Sequence, residues 1–173
     1  QYKSRWFTKS PAFDEELRER FGVAVEAALG GALQHWSAQG PWQHLALVVL
    51  LDQFTRNIFR NTPKSFAGDP QALTLALQAM QSGADQQLPE VVRVFMYLPL
   101  EHAEDPGMQQ RCAAAFDAMH QAAEEAELRE YLAGSLDYAH RHQVVIERFC
   151  RFPHRNAILG RASTTEEAAY LAQ

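Results

Sequence analysis

SPAFDEELRERFGVAVEAALG, residues 10–30, is the stretch whose reading decides the fold class. Ser10 places a side-chain oxygen directly before Pro11, a pairing suited to a helix start: the cap accepts an orphaned N–H and proline has none to leave unmade. Beyond it Leu17, Phe21, Ala24, Val25 and Ala28 recur at helical spacing on one stripe, with charged side chains opposite. Gly30 and Gly31 end the run. The segment reads as an amphipathic helix over 11–29.

Outward from this stretch the same start signal returns at Thr62-Pro63, Asp69-Pro70 and Asp105-Pro106, and Ser163 with Glu166, or Thr164 with Glu167, forms a capping box near the end. Leu73, Leu77 and Met80 make another helical stripe. Helices are predicted near 11–29, 42–55, 70–82, 90–103, 106–127, 136–149 and 164–172, with Gly40, Gly83 and Gly134 as further stops or turns. Pro99 should kink or end the helix that holds it, because its ring removes a hydrogen bond and crowds the preceding turn. Short connectors make successive helices antiparallel neighbours. The predicted fold is therefore all-α, antiparallel helical hairpins in a bundle or short superhelix, as one domain over 1–173.

Composition agrees with that class. The 173 residues are 47% hydrophobic, enough for one core, and the straight side chains of Leu, Glu and Gln, with Ala, lose little freedom in helices. A net charge of -5 argues against a nucleic-acid partner, which normally demands a basic domain. Cys112 and Cys150 lie far apart, without the spacing of a disulfide framework or thiolate zinc site. The longest apolar run, Leu45 to Leu51, falls well short of the roughly 20 residues of a membrane span. No leader pattern opens the chain, so a cytoplasmic protein is expected, although Gln1 in place of Met suggests that residues precede it.

Reactive polar residues gather in three places: Asp52-Gln53 with Arg56, Asn57 and Arg60; Glu101-His102 with Glu104; and His140 onward through Arg161. They stand among Leu50, Leu51, Phe54, Ile58, Phe149, Phe152 and Ile158, so they should be partly buried. Buried charges generally need partners, and the plainest reading pairs Asp52, Glu101 and Glu104 with arginines such as Arg56, Arg151 and Arg155. Acid–base chemistry is a second reading, with Glu101, His102 or His142 beside a pocket. An anion site built from Arg56, Arg60, Arg151, Arg155 and Arg161 is a third. Nitrogen and oxygen donors for a metal exist in Glu101, His102, Glu104, His140, His142 and His154, but His140 and His142 are two apart on a helix and cannot chelate one ion, so no metal or other cofactor is expected. Arg56-Asn57, Ile58 and Arg60 are echoed by Arg155-Asn156, Ile158 and Arg161, a match too short to argue for duplication.

The run Leu50-Leu51-Asp52-Gln53-Phe54-Thr55-Arg56-Asn57-Ile58-Phe59-Arg60 closely resembles the signature of the DUF924 family, bacterial proteins of unknown function. Trp6-Phe7 with Phe13-Asp14, Pro99-Leu100-Glu101-His102 with Glu104, and Arg151-Phe152-Pro153-His154-Arg155-Asn156 through Leu159-Gly160-Arg161 and Ser163-Thr164 extend the resemblance almost end to end. It implies an all-helical fold like that of tetratricopeptide repeats (TPR-like). It marks Asp52, Gln53, Arg56, Asn57, Arg60, Glu101, His102, Glu104, His142, Arg151, Arg155 and Asn156 as candidate site positions. The chain departs from the family pattern at Thr55, where proline is expected, at Ala103, where serine is, and at Cys150, where glycine is; an aromatic segment expected before Trp6 is absent.

From sequence, then, the expectation is an interaction module that binds a peptide or an acidic small molecule, with Asp52, Gln53, Arg56, Asn57, Arg60, Arg151, Arg155 and Asn156 as ligand-binding candidates. The alternative is a small-molecule enzyme, acid–base or metal-assisted, using Glu101, His102, Glu104 and His142. The two differ in geometry: a module should show its motif charges mutually paired, whereas an enzyme needs a pocket on which unpaired groups converge.

Overall fold

Helix α1 (Pro11–Leu29) begins as its sequence dictates, with Ser10 Oγ accepting the Phe13 N–H at 3.3 Å. The computed structural model describes residues 8–173, so the Trp6-Phe7 match lies outside the described residues. Helix α2 (Pro41–Val49) runs without a break through a π-helical turn, Leu50–Phe54, into the short α3 (Thr55–Ile58). Then follow α4 (Asp69–Ser82), α5 (Glu90–Glu101), α6 (Pro106–Ala122), α7 (Ala126–Phe149) and α8 (Thr165–Leu171). No strand occurs among the described residues, so the fold is all-α as expected.

Two of the remaining start signals cap real helices: Asp105 accepts the Met108 N–H at 2.9 Å, and Thr164 with Glu167 closes a full capping box at 3.1 and 2.7 Å. The other two do not. Thr62 opens only a single 3-10 turn, Pro63–Phe66, with its hydroxyl donated back to the Phe59 carbonyl at 2.7 Å. Asp69 is the first residue of α4, and its carboxylate is drawn away from the helix end by two arginines, Arg56 and Arg155. Charge-assisted bonds to guanidinium outcompete a neutral amide.

The helices expected at 106–127 and 136–149 are divided elsewhere. α6 stops at Ala122, and α7 begins at Ala126 and passes straight through Gly134. The three-residue connector carries neither glycine nor proline; Arg129 holds it by donating to the Ala123 carbonyl from Nε and Nη2 at 3.1 and 2.6 Å. α6 and α7 form a long antiparallel hairpin, and packing along it outweighs the helix cost of one glycine, about 1 kcal/mol. Pro99 neither breaks nor precedes the end of α5 by much: the helix closes two residues later.

The core lies between α2, the π turn, α4, α5 and α6, with Leu47, Val48, Leu51, Ala76, Met96, Leu100, Cys112 and Phe116 buried in it. α4 docks on the π turn through Gly68, where a Cβ would stand 2.1 Å from the Leu51 carbonyl oxygen. Only glycine permits that approach. Cys150, at the end of α7, takes the left-handed conformation (φ 56°) in which glycine is favoured, which explains the glycine of the family pattern at this position.

Candidate functional site

Three helical stripes face one another across a cavity of about 510 Å³. The first runs from the π turn along α3, with Gln53, Arg56, Asn57 and Arg60; the second is Val94, Leu98 and Glu101 of α5, joined by His102; the third is Tyr131, Gly134, Ser135, Tyr138 and His142 of α7. Thr8 and Lys9, ahead of α1, complete the lining. Within each stripe the spacing of three or four residues is that of one helix face.

The π turn sets the chemistry at the centre. The extra residue that a π turn inserts re-aims side chains and is common at functional sites. Here it turns Asp52 inward, where it is fully buried, while Thr55 donates its hydroxyl to the Leu51 carbonyl at 2.7 Å and satisfies an acceptor within the irregular turn. Asp52 accepts from His102 Nδ1 at 2.7 Å, from the Gln53 amide, and pairs with Arg56 Nη1 at 3.2 Å. Burial alone would raise its pKa, yet Arg56 and His102 outweigh burial and hold the carboxyl well below the usual range. The bond from Nδ1–H to this anion leaves His102 Nε2 as a free lone pair. Burial, reinforced by the Arg56 charge, keeps His102 below the usual imidazole value despite the Asp52 partner.

Glu101 behaves in the opposite way. It is buried (5% exposed), no arginine reaches it, and its nearest basic group is His142 Nδ1 at 3.5 Å, a nitrogen already directed at the Tyr138 carbonyl at 2.9 Å. Burial, with Asp52 nearby adding to it and Arg56 opposing, pushes its pKa up to about 8. At neutral pH the cavity therefore holds a protonated acid, Glu101, next to a neutral base, His102, that is oriented by a carboxylate. Environments that drive two titratable groups apart in this way are how acid and base roles are divided at pH 7.

The arginines are paired, but not always as expected. Arg56 grips Asp69 with two parallel bonds of 2.8 and 3.0 Å, and Arg155 shares the same carboxylate at 3.0 Å while donating to the His102 carbonyl at 3.0 Å. Arg60 takes both oxygens of Asp14 at 2.7 and 2.8 Å, with Asn57 added at 2.7 Å. Glu104 pairs with Arg161, at 2.6 and 2.9 Å, and not with Arg151 or Arg155; Arg151 pairs with Glu167 at 2.6 and 2.7 Å. Asn156 bonds Ser163 and receives Arg161. The two Arg-Asn motifs thus meet at Asp69, with Arg56 and Arg155 also over the Phe66 ring at 5.6 and 4.6 Å, although Arg56 lies in α3 and Arg155 ends a 3-10 turn, Pro153–Arg155.

Of the sequence candidates, Gln53, Arg56, Asn57, Arg60, Glu101, His102 and His142 line the cavity, Asp52 lies behind it, and Glu104, Arg151, Arg155 and Asn156 belong to the polar network that docks the C-terminal segment. No group of three or more His, Cys, Asp or Glu side chains that could hold a metal occurs among the described residues. Sequence reasoning did not pick out Asp14 and Asp69 as the arginines' partners, or the α7 stripe. The stripe was readable from the spacing of Tyr131, Ser135, Tyr138 and His142, but a break placed at Gly134 hid it.

The fold and site define an all-helical protein with a cavity between three helical stripes, on which acidic and basic side chains meet. The chain belongs to the family described as bacterial protein of unknown function (DUF924), whose model matches residues 1–173. It is also similar to the solved structure of a protein of unknown function from Agrobacterium tumefaciens, at 42% identity and a TM-score of 0.85 over 98% of this chain and 89% of that one. No curated protein matches it. No helix of the described residues is long and apolar enough to cross a membrane.

Proposed function

We propose that this protein is a small-molecule enzyme of the acid–base type, in which Glu101 gives a proton to the bound molecule and His102, oriented by Asp52, takes one from it. The observation that carries this reading is the convergence on one cavity of a buried acid that no arginine reaches and a carboxylate-oriented histidine. Proton transfer in both directions suits elimination, hydration or isomerisation, which need no protein nucleophile. The arginine pairs support the wall of the site by fixing Asp52 and the His102 backbone. A cavity of about 510 Å³ suits a small molecule better than a peptide.

Metabolite extract incubated with the protein and followed by mass spectrometry tests the reading. A compound consumed by the wild type but not by Glu101→Gln or His102→Gln, both folded and melting no lower than wild type, is the expected result. Extract profiles identical for all three proteins would overturn it. Binding of an acidic molecule without turnover is a second reading, favoured by Lys9 on the cavity lining, which has no carboxylate within ion-pair reach among the described residues.

A further inference from the structure

Gly134 is a glycine without a structural reason. It stands in the middle of the 24-residue α7, where glycine is the poorest helix former after proline, and a Cβ built on it would meet nothing within 4 Å. Its backbone conformation does not call for glycine either, since it is not among the residues with positive φ. What a side chain would occupy is the cavity itself. Bare helix backbone there leaves a flat strip between two rings on the same face, Tyr131 and Tyr138, one turn to either side. Glu101, nine-tenths buried, lines the same space with a carboxyl that no arginine reaches and whose nearest basic group is His142 Nδ1 at 3.5 Å; burial pushes its pKa up to about 8, so that it presents a donor at neutral pH.

The geometry points to a ligand class: a planar ring molecule that lies on the Gly134 backbone between Tyr131 and Tyr138 and turns a carbonyl oxygen toward the Glu101 carboxyl proton. This inference rests on the reading of the cavity as a small-molecule site and adds what the molecule must look like. A flat ring can approach bare backbone at van der Waals distance along its whole face, whereas a puckered ring touches at a few atoms and forfeits much of the dispersion contact. A carbonyl acceptor gives the Glu101 proton a hydrogen-bond partner on the cavity side.

The test is a ligand-observed NMR titration with two probes, the planar 2-quinolone and its saturated decahydro analogue, against wild type, Gly134→Leu and Glu101→Met, which removes the donor. Wild type should bind 2-quinolone at least tenfold more tightly than the saturated ring. Gly134→Leu should lose at least tenfold in that affinity while melting at or above the wild-type temperature, since leucine is the better helix former. Equal affinity for the two rings, no binding of either to wild type, or undiminished binding by Gly134→Leu would overturn the inference. Binding lost in Glu101→Met but kept in Gly134→Leu would sink this ligand class alone; binding indifferent to both substitutions would sink the cavity reading with it.

Discussion

Glu101 is held at a cost to the fold, and that cost can be measured as a function of pH. Unfolded, a glutamate ionises near 4.5; folded, this one does so near 8. Between those values the folded protein keeps a proton that the unfolded chain has released. Stability from this group is therefore fully present below 4.5 and is lost as pH rises toward 8, by about 1.4 kcal/mol for each tenfold difference in proton affinity. Glu101→Gln, which cannot ionise, should unfold at higher urea concentration than wild type at pH 9, by a few kcal/mol, with the gap closing at pH 5. A variant less stable than wild type at both pH values would mean that Glu101 is paired and structural. Asp69 is instead a partner whose loss should destabilise the fold. Its carboxylate is shared by Arg56 and Arg155, both largely buried, so Asp69→Asn leaves Arg56 with Asp52 alone and takes from Arg155 its one carboxylate partner among the described residues. A loss of about 3 kcal/mol or more is expected in chemical denaturation, and a loss under 1 kcal/mol would show that water replaces the carboxylate.

At the scale of elements, the π turn and its neighbour α4 are one unit, because Gly68 meets the Leu51 carbonyl so closely that no side chain fits. Gly68→Ala must push α4 away from the turn that carries Asp52. A destabilisation of about 3 kcal/mol is expected, at the upper end of overpacking costs, together with a changed NMR titration of His102, whose acceptor moves. An unchanged titration at reduced stability would separate the turn from α4. These elements also show what local sequence can and cannot carry. Caps whose oxygens act on their own helix were readable, as at Ser10, Asp105 and Thr164, because the information lies within four residues. Asp69 has the same local signature, yet its carboxylate answers to Arg155, 86 positions away, and nothing near it says so. The α6–α7 boundary was hidden for a related reason: Ala123, Glu124 and Glu125 are good helix formers, and the turn there is held by Arg129 and by hairpin packing. Seven of the cavity's lining residues were legible as polar groups set among apolar ones. Tyr131, Ser135 and Tyr138 were not, since they look like ordinary positions until α7 is continuous.

Across the described residues the apolar core is contiguous from Leu17 to Ala139, whereas the segment after Cys150 buries Phe152 but is otherwise fastened to the body by charge. Glu104 accepts from Arg161 and from the Phe152 N–H, and Arg155 reaches back to Asp69 and to the His102 carbonyl. Burial would raise Glu104, but its bonds to Arg161 and Phe152 prevail and hold the carboxyl below its ordinary value. A depressed carboxylate contributes stability that is present above its unfolded value of 4.5 and is lost as pH falls through the folded one. The helices α2, α4 and α5 meet mainly through apolar side chains, whose burial does not titrate. Acidification should therefore release the C-terminal segment before it unfolds the core. Hydrogen exchange between pH 6 and pH 3, corrected for intrinsic rates, is expected to show protection falling first in 151–171, with α2, α4 and α5 still protected. Glu104→Gln, which weakens the Arg161 pair at every pH, should show the same regional loss already at pH 6. Simultaneous loss of protection in both regions would mean that the charge network and the apolar core unfold as one cooperative unit, and that Glu104 fastens the whole fold and not its last segment.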